Sequence, residues 1–587
     1  MSKREGARFS IANVRVDVAR RSIDGPRGSF RVEPRVMDVL VALADRAPEP
    51  VSRDELIAGV WQGAFVTDGV LTRCISILRG LLGDDRGNPR FIETLAKRGY
   101  RLLGPVSFVG AATEAPVSAV APGVSGPISI AVLPFVYLAD GGDEHVADGL
   151  TELLTANLAG VSALRVVART SAMTYKGKRK RLRQIGAELR VDYVIEGSIL
   201  ADGGRLQIVV RLIDARTELH VWTQSYVRDL RGLLALLNEV ARAVAVGVRA
   251  KLRPAEALRL GRPVAIGESA LQHYLKGRFH WAQRSADALA RASAEFAACA
   301  HEAADFAPAH VGLADVQIVL ALYGLAPPVS AAALAREHHA RALALDPDSA
   351  EVQTALGAVC LFFDWDFEAA ERAFVRSLGI NPSYTTTHLS YGDLLMMRGD
   401  FERGLALIRE AVQLSPFDLG LSMNLGDFLI FARCFDEAAA QLEHTLALDE
   451  RFVPGRLRLA EALALAGRRQ EALRQVEFAF ACAPEQPRVR EVRAFVLATT
   501  HRTDEARGEL VGLETMRARR YVSAWELARA YAVMGEVNDA LRLLSAAVAE
   551  RAPMTLFAGV HAALDPVRGD QRFPAILDAL GLPFGPP

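Results

Sequence analysis

The sequence is poor in the features that announce catalysis or a redox framework. Its 587 residues hold five cysteines, Cys74, Cys299, Cys360, Cys434 and Cys482, scattered along the chain with no CxxC and no Cys/His spacing. That pattern argues against a disulfide scaffold or a zinc ribbon, and their Ala- and Leu-rich surroundings point to buried, reduced thiols. No GxxxxGK[ST], GxGxxG, HExxH or GxSxG stands in the chain, so the common phosphate-cradling, zinc-peptidase and serine-hydrolase motifs are missing. The adjacent pair His338-His339 points to different faces of a helix and makes a poor metal site. The opening MSKREGARFS lacks the apolar core of a signal peptide. Lys+Arg and Asp+Glu both number 69, so no net field holds the whole molecule on nucleic acid. One run of 25 residues, 115–139, carries no charge. Pro116, Pro122, Pro127 and Pro134 make it a flexible linker followed by a buried strand, ISIAVLPFVYL, rather than a membrane span. A cytoplasmic protein without membrane contact, cofactor or metal is expected.

What the chain does have is unevenly placed. Residues 1–105 hold 18 Lys/Arg and 13 Asp/Glu, a balance of +5 that leaves the remainder at −5. A basic head on an acidic body suits a nucleic-acid-binding module joined to a body that is not one. At this length one core is insufficient and the chain is multidomain. Short β-prone runs (ARFSIANVRVDVA, SFRVE) precede Pro34 and a helix with apolar residues at 36, 39, 40 and 43. Ser52 and Glu55 form a capping box opening SRDELIAGVW, whose Trp61 reads as core. A helix from Asp68 to Leu82 buries Leu71, Cys74/Ile75, Leu78 and Leu82, and presents Thr72, Arg73, Ser76, Arg79 and Gly80 on its other face. The β-prone runs FIETL and KRGYRLL follow. A polar-faced helix of this kind fits the major groove, and a basic hairpin lies against the backbone or minor groove.

SRDELIAGVW, the spacing to LTRCISILRGLLGDD and the ending FIETLAKRGYRL resemble the winged helix-turn-helix (α+β) of OmpR/PhoB-type regulators, over residues 8–105. The resemblance implies that Asp68–Leu82 is the recognition helix and Phe91–Leu102 the wing. It also implies phosphate contacts for Arg79 and Tyr100. Cys74, Ser76 and Ile77 stand where relatives often carry His or Arg, which makes the base-reading set different. The expected DNA-binding residues are Thr72, Arg73, Ser76, Arg79, Thr94, Lys97, Arg98 and Tyr100, with Arg73 and Ser76 governing sequence preference.

Residues 106–127 read as a linker. Residues 128–253 alternate strand and helix patterns and form an α/β domain with a mixed sheet, including a strand pair turning at Asp202-Gly203-Gly204. AVLPF, ADGLTELL, RTSAMTYKGK, DYVIEGSI and HVWTQSY resemble the TolB-like domain attached to bacterial regulators and nucleotide cyclases, which implies a fold and no reaction. The basic run KGKRKRLR (176–183) reads as a solvated loop before a helix, or alternatively as a second phosphate-binding patch. Asp140, Asp143, Glu144 and Asp148 read as acids favouring a helix N-terminus rather than a cation site. In residues 271–587, Pro347, Pro382 and Pro416 follow short apolar endings at steps of 35 and 34, and further steps of 34 reach Glu450 and Pro484. Gly392 and Gly426, and Ala370, Gly404, Ala438 and Ala472, recur at the same period. This resembles the tetratricopeptide repeat (TPR), and six to eight units imply an all-α superhelix with a concave groove.

The architecture as a whole resembles the HilA/CadC-like regulators without a membrane span. Expected partners are double-stranded promoter DNA, RNA polymerase, a protein or peptide in the TPR groove, and a second copy of the chain. With no receiver domain read ahead of the winged helix, control is expected through the body. A TPR scaffold or adaptor whose head contacts protein is the alternative, and an enzyme hidden in the α/β domain is a third reading.

Overall fold

The computed structural model describes residues 8–583, apart from 12–13, 19–20, 26–27, 48, 62–67, 85–88, 96–98, 104–105, 109–126, 139–143, 179, 203–204, 229–231, 249, 251 and 262–265. The chain divides into two compact units, Met1–Val124 and Ser125–Pro587.

In the first unit, strands β1 (Arg8–Ile11), β2 (Val14–Asp17), β3 (Ser22–Gly25) and β4 (Gly28–Arg31) form an antiparallel meander, with β7 (Val106–Phe108) pairing on the outer side of β1. Helices α1 (Pro34–Arg46), α2 (Arg53–Trp61) and α3 (Asp68–Leu82) follow, then the hairpin β5 (Ile92–Leu95) and β6 (Gly99–Leu102). Pro34 occupies the first turn of α1, where its missing N–H has no partner to lose. Val36, Val39, Leu40 and Leu43 are all buried, as the 3.6-residue stripe requires. The capping box forms: Ser52 N–H donates to Glu55 Oε2 at 2.9 Å and Glu55 N–H to Ser52 Oγ at 3.2 Å. These bonds hold the Glu55 carboxyl below its ordinary range.

The second unit begins with a mixed sheet. Strands β8 (Ile128–Val132), β9 (Val136–Tyr137), β10 (Leu164–Val166), β11 (Tyr193–Asp202), β12 (Arg205–Asp214) and β13 (His220–Arg228) have the path β10-β8-β11-β12-β13, with β9 also on β11. Pairing is parallel across β10, β8 and β11 and antiparallel from β11 onward. Helices α4 (Glu144–Ala159), α5 (Arg169–Met173), α6 (Leu182–Leu189), α7 (Leu233–Gly247) and α8 (Pro254–Gly261) complete this part. Short α5 and α8 carry too little periodicity to stand out in the sequence. Of the acid cluster, Asp140 and Asp143 lie outside the described residues. Asp148 is buried within α4 rather than at its N-terminus, where Lys176 Nζ meets it at 2.8 Å. Within the basic run, Lys176 and Lys180 are therefore engaged locally, the latter by Glu188.

Eight helix pairs follow. They are α9/α10 (Glu268–Trp281, Ala286–Glu302), α11/α12 (Ala307–Leu322, Pro328–Leu345), α13/α14 (Ala350–Val359, Phe367–Ile380) and α15/α16 (Thr385–Met397, Phe401–Leu414). The last four are α17/α18 (Leu419–Phe431, Phe435–Leu448), α19/α20 (Val453–Leu465, Arg469–Cys482), α21/α22 (Pro487–Thr499, Thr503–Arg517) and α23/α24 (Ala524–Val533, Val537–Ala549). Two 3-10 segments and α25 (Arg572–Leu580) end the chain. The small residues permit close approach: a Cβ on Gly392 would come 2.7 Å from Phe428 of α17, and one on Gly404 2.6 Å from Met396 Sδ of α15, so α15 packs on α17 and on α16 only without side chains there. In the last six pairs the turn places a left-handed residue every 34 positions, at Trp365, Gly399, Arg433, Gly467, His501 and Gly535.

The sheet and the first repeats share one core, from Ile130 through Leu275 to Val319. The segment after β10 also docks on later repeats: Ala168 N–H donates to Leu414 O at 2.9 Å, and Phe417 N–H to Ser171 Oγ at 2.9 Å. Cys74, Cys299 and Cys360 are buried, whereas Cys482 is exposed, contrary to the expectation for all five. No helix among the described residues is long and apolar enough to cross a membrane.

Candidate nucleic-acid interface

The apolar face of α3 is anchored by Leu71, Cys74, Ile75, Leu78 and Leu82, none more than 6% exposed. Burial raises the Cys74 thiol. Cys74 is thus a core residue and no substitute for a base-reading His or Arg. With that face fixed, Thr72, Arg73, Ser76 and Gly80 are exposed together on the opposite side. Val70, missed in the sequence, joins them at 42% exposure and offers an apolar contact suited to a thymine methyl.

The wing is held to α3 by a polar clamp. Arg79 Nη2 donates to Ile92 O at 2.8 Å and to Thr94 Oγ1 at 2.9 Å. Asp84, just past the helix, accepts from Arg90 N–H at 2.5 Å and Ile92 N–H at 2.6 Å. The hairpin pairs Thr94 with Tyr100 and Glu93 with Arg101, whose guanidinium bonds the Glu93 carboxylate at 2.6 Å. Tyr100 exchanges two 2.9 Å backbone hydrogen bonds with Val51, which adds the segment before α2 to the wing. Gly99 makes that contact feasible: its φ is +107°, and a Cβ would lie 2.0 Å from Val51 O.

Three of the expected residues sit at the joint between helix and wing. Tyr100, expected on a phosphate, is 3% exposed, with its backbone bridged to Val51. Arg79 directs Nη2 inward to β5 rather than outward, and Thr94 is half-buried as its acceptor. Arg79, Thr94 and Tyr100 therefore position the wing, while Thr72, Arg73 and Ser76 form the accessible face. Lys97 and Arg98 lie outside the described residues. Gly99 and Asp84 are the structural residues that a search for basic contacts passed over, although the Gly of RGYR and the acid after a helix end were visible signals.

This is the arrangement of an OmpR/PhoB-type winged helix. Residues 28–102 match the family described as "Transcriptional regulatory protein, C terminal", and residues 126–241 the family described as "HilA/YgeH-like transcriptional regulator, second domain". Among named relatives, the transcriptional regulator HilA of Salmonella typhimurium is 25% identical over 391 residues, 66% of each chain. The transcriptional activator CadC of Escherichia coli is 49% identical over 76 residues, 13% of this chain and 15% of CadC. A Rhizobium meliloti protein named as an adenylate cyclase is 40% identical over 129 residues, 22% of each chain. The matched stretches thus span less than two thirds of these relatives. The solved DNA-binding domain of E. coli CadC is 35% identical and covers 18% of this chain and 99% of that domain, with a TM-score of 0.17.

Proposed function

We propose that the protein is a sequence-specific, DNA-binding transcription regulator. Its winged helix reads promoter DNA, and its α/β and repeat body senses a signal or assembles the protein. The observation that carries this reading is the exposed stripe Thr72, Arg73 and Ser76 on a helix whose other face is core, beside a wing clamped to it, in a domain that matches a regulator family. Arg73 and Ser76 set sequence preference, and the flanking basic residues supply affinity through phosphates. The protein acts in the compartment that holds DNA, as a regulator rather than an enzyme. RNA polymerase and a second copy of the chain are its assembly partners on the promoter. Gel shifts at two salt concentrations test this: log K should fall by about 0.9 per phosphate neutralised for each unit of log salt. Arg73→Ala should flatten discrimination between sites, and salt-insensitive binding would refute the reading.

A further inference from the structure

The mixed sheet of the second unit has two edges, and the chain treats them differently. The edge at β10 is covered by the repeats: Val166 N–H donates to Ser383 Oγ at 3.4 Å, and Ala168 N–H, two residues on, to Leu414 O at 2.9 Å. The edge at β13 is open. No strand among the described residues pairs on its outer side, and all of its residues except Trp222 and Tyr226 are exposed. Open edges are usually guarded by proline, by an inserted charge or by being very short. Here nine residues run along the edge, and residues 221–227, VWTQSYV, hold neither proline nor charge. Val221 and Val227 are 44% and 51% exposed.

The register of β12 fixes which backbone groups face outward. Asp214 N–H donates to Leu219 O at 3.0 Å. Alternate residues of β12 then face β13, so Leu212, Val210 and Ile208 engage Trp222, Gln224 and Tyr226. The register shift lies beside Val221 and leaves residues 222–228 in regular pairing. Thr223, Ser225 and Val227 therefore turn their N–H and C=O groups to the open side. An antiparallel strand added there pairs outward residues with outward residues, so a two-fold axis relating two copies of β13 must pass through a residue and not between two. About Gln224 the strand is nearly its own mirror: Thr223 faces Ser225, Trp222 faces Tyr226, and Val221 comes beside Val227. An axis at Thr223 would oppose Trp222 to Gln224 and Val221 to Ser225. One at Ser225 would oppose Gln224 to Tyr226 and Thr223 to Val227. Of the three, Gln224 alone matches hydroxyl with hydroxyl and ring with ring, the pairings that stabilise adjacent strands.

We infer that β13 is the interface for a second copy of this chain: two β13 strands pair antiparallel about an axis at Gln224 and join the two sheets edge to edge. Each Thr223–Ser225 pair exchanges two backbone hydrogen bonds across the axis. The contact uses the same patch on both copies and closes on itself, and the covered edge at β10 offers no site for further growth, so association stops at two. A peptide from another protein could add to the edge through backbone bonds, but it would gain nothing from the mirror sequence. This pairing supplies the surface for the second copy in the proposed regulator. It forms without DNA, so loss of dimers and loss of DNA binding are read separately.

Sedimentation velocity on the full chain, without DNA and up to about 100 μM, where even weak specific contacts associate, should show a monomer–dimer equilibrium and nothing larger. Thr223→Lys with Ser225→Lys sets like charges opposite each other in both pairs and should raise the dimer dissociation constant at least about tenfold. Thr223→Lys with Ser225→Glu sets opposite charges there and should dimerise within about threefold of the parent. All these positions are exposed, so both double variants should melt with the parent. Cross-linking tests the axis in a Cys482→Ser background, which removes the exposed native thiol. Gln224→Cys should form a disulfide-linked dimer on mild oxidation, because the axis residue meets itself at a Cα separation of about 4.5 Å, within disulfide reach. Thr223→Cys should cross-link at least about tenfold more slowly, being two residues out of register with itself. A chain that stays monomeric over the whole range, a species larger than a dimer, dimers unaffected by the folded two-lysine variant, or equal cross-linking at 223 and 224 would each overturn the inference.

Discussion

Replacing Arg79 separates a wing clamp from a phosphate contact. In Arg79→Ala the two hydrogen bonds from Nη2 to Ile92 O and Thr94 Oγ1 are lost. Bonds from a charged donor contribute about 1.5–3 kcal/mol each at full burial. Arg79 is only half-buried, so about 2–3 kcal/mol for the pair is the reasonable scale. In a domain of roughly 100 residues each kcal/mol moves the melting midpoint by about 4–8 °C, so the isolated head, residues 1–124, should melt about 10–20 °C lower. Its DNA affinity, measured below that midpoint, should fall alike on all sequences. The dependence of log K on log salt should keep its slope, because no phosphate contact is removed. Arg79→Lys should recover part of the loss, since an ammonium can donate to both acceptors but its stem ends short of the Nη2 position. An Arg79→Ala head that melts with the parent, and whose salt slope is shallower by about 0.9, would refute the clamp and restore the phosphate role.

Gly99→Ala should destabilise the head by more than about 1 kcal/mol, combining a disfavoured φ with a clash against Val51 O; thermal melting reads it, and an unchanged midpoint would remove the argument. Burial and the neighbouring Glu526 raise the Glu491 carboxyl to about 8. A raised acid adds stability at low pH that is lost as pH climbs from the ordinary carboxylate range toward the folded value. Glu491→Gln should therefore match the parent near pH 5 and gain on it above, by up to about 1.4 kcal/mol per pH unit, in denaturant titrations at several pH values; a constant difference would contradict it. His501→Gly should stabilise the repeats by up to about 1 kcal/mol, since His501 holds a left-handed conformation that costs an L side chain roughly that much. Arg433→Gly relieves the same strain but removes a two-pronged ion pair with Asp565 at 2.7 Å, and should melt lower than His501→Gly.

The parts of the fold that could be read were those whose signal is local. Val36, Val39, Leu40 and Leu43 announce α1 because a helix brings them to one face, and Ser52 with Glu55 announces α2 because their bonds close within four residues. The repeats were legible because Gly392 and Gly404 answer a crossing that recurs every 34 residues. The burial of Tyr100 is not legible locally, because it accompanies a bridge to Val51, 49 positions earlier. Arg79 looked like a surface cation because its acceptors lie on a strand 13 and 15 residues away. The acids Asp427 and Glu461 share the period of the glycines, but their pairing with Arg458, Arg488 and Arg529 emerges only once the repeats are folded together.

The tail contacts change what kind of polymer the repeat region is. A repeat array behaves as a one-dimensional chain of coupled units, which frays from its ends. Here the tail reaches back: Phe557 stacks on Phe431 at 4.4 Å, Asp565 holds Arg433, and Arg551 lies 4.1 Å over Trp365 while bonding Phe363 O. Two of the docking points, Trp365 and Arg433, occupy turn positions where other repeats carry glycine. The last unit is thereby bonded to the third and fifth pairs, and the array becomes a ring in its energetics. A ring has no free end at which melting can start. It also has a fixed circumference. Inserting or deleting one 34-residue unit between the fifth pair and the tail would carry Asp565 and Arg551 away from their partners, so this closure fixes the number of repeats in that stretch.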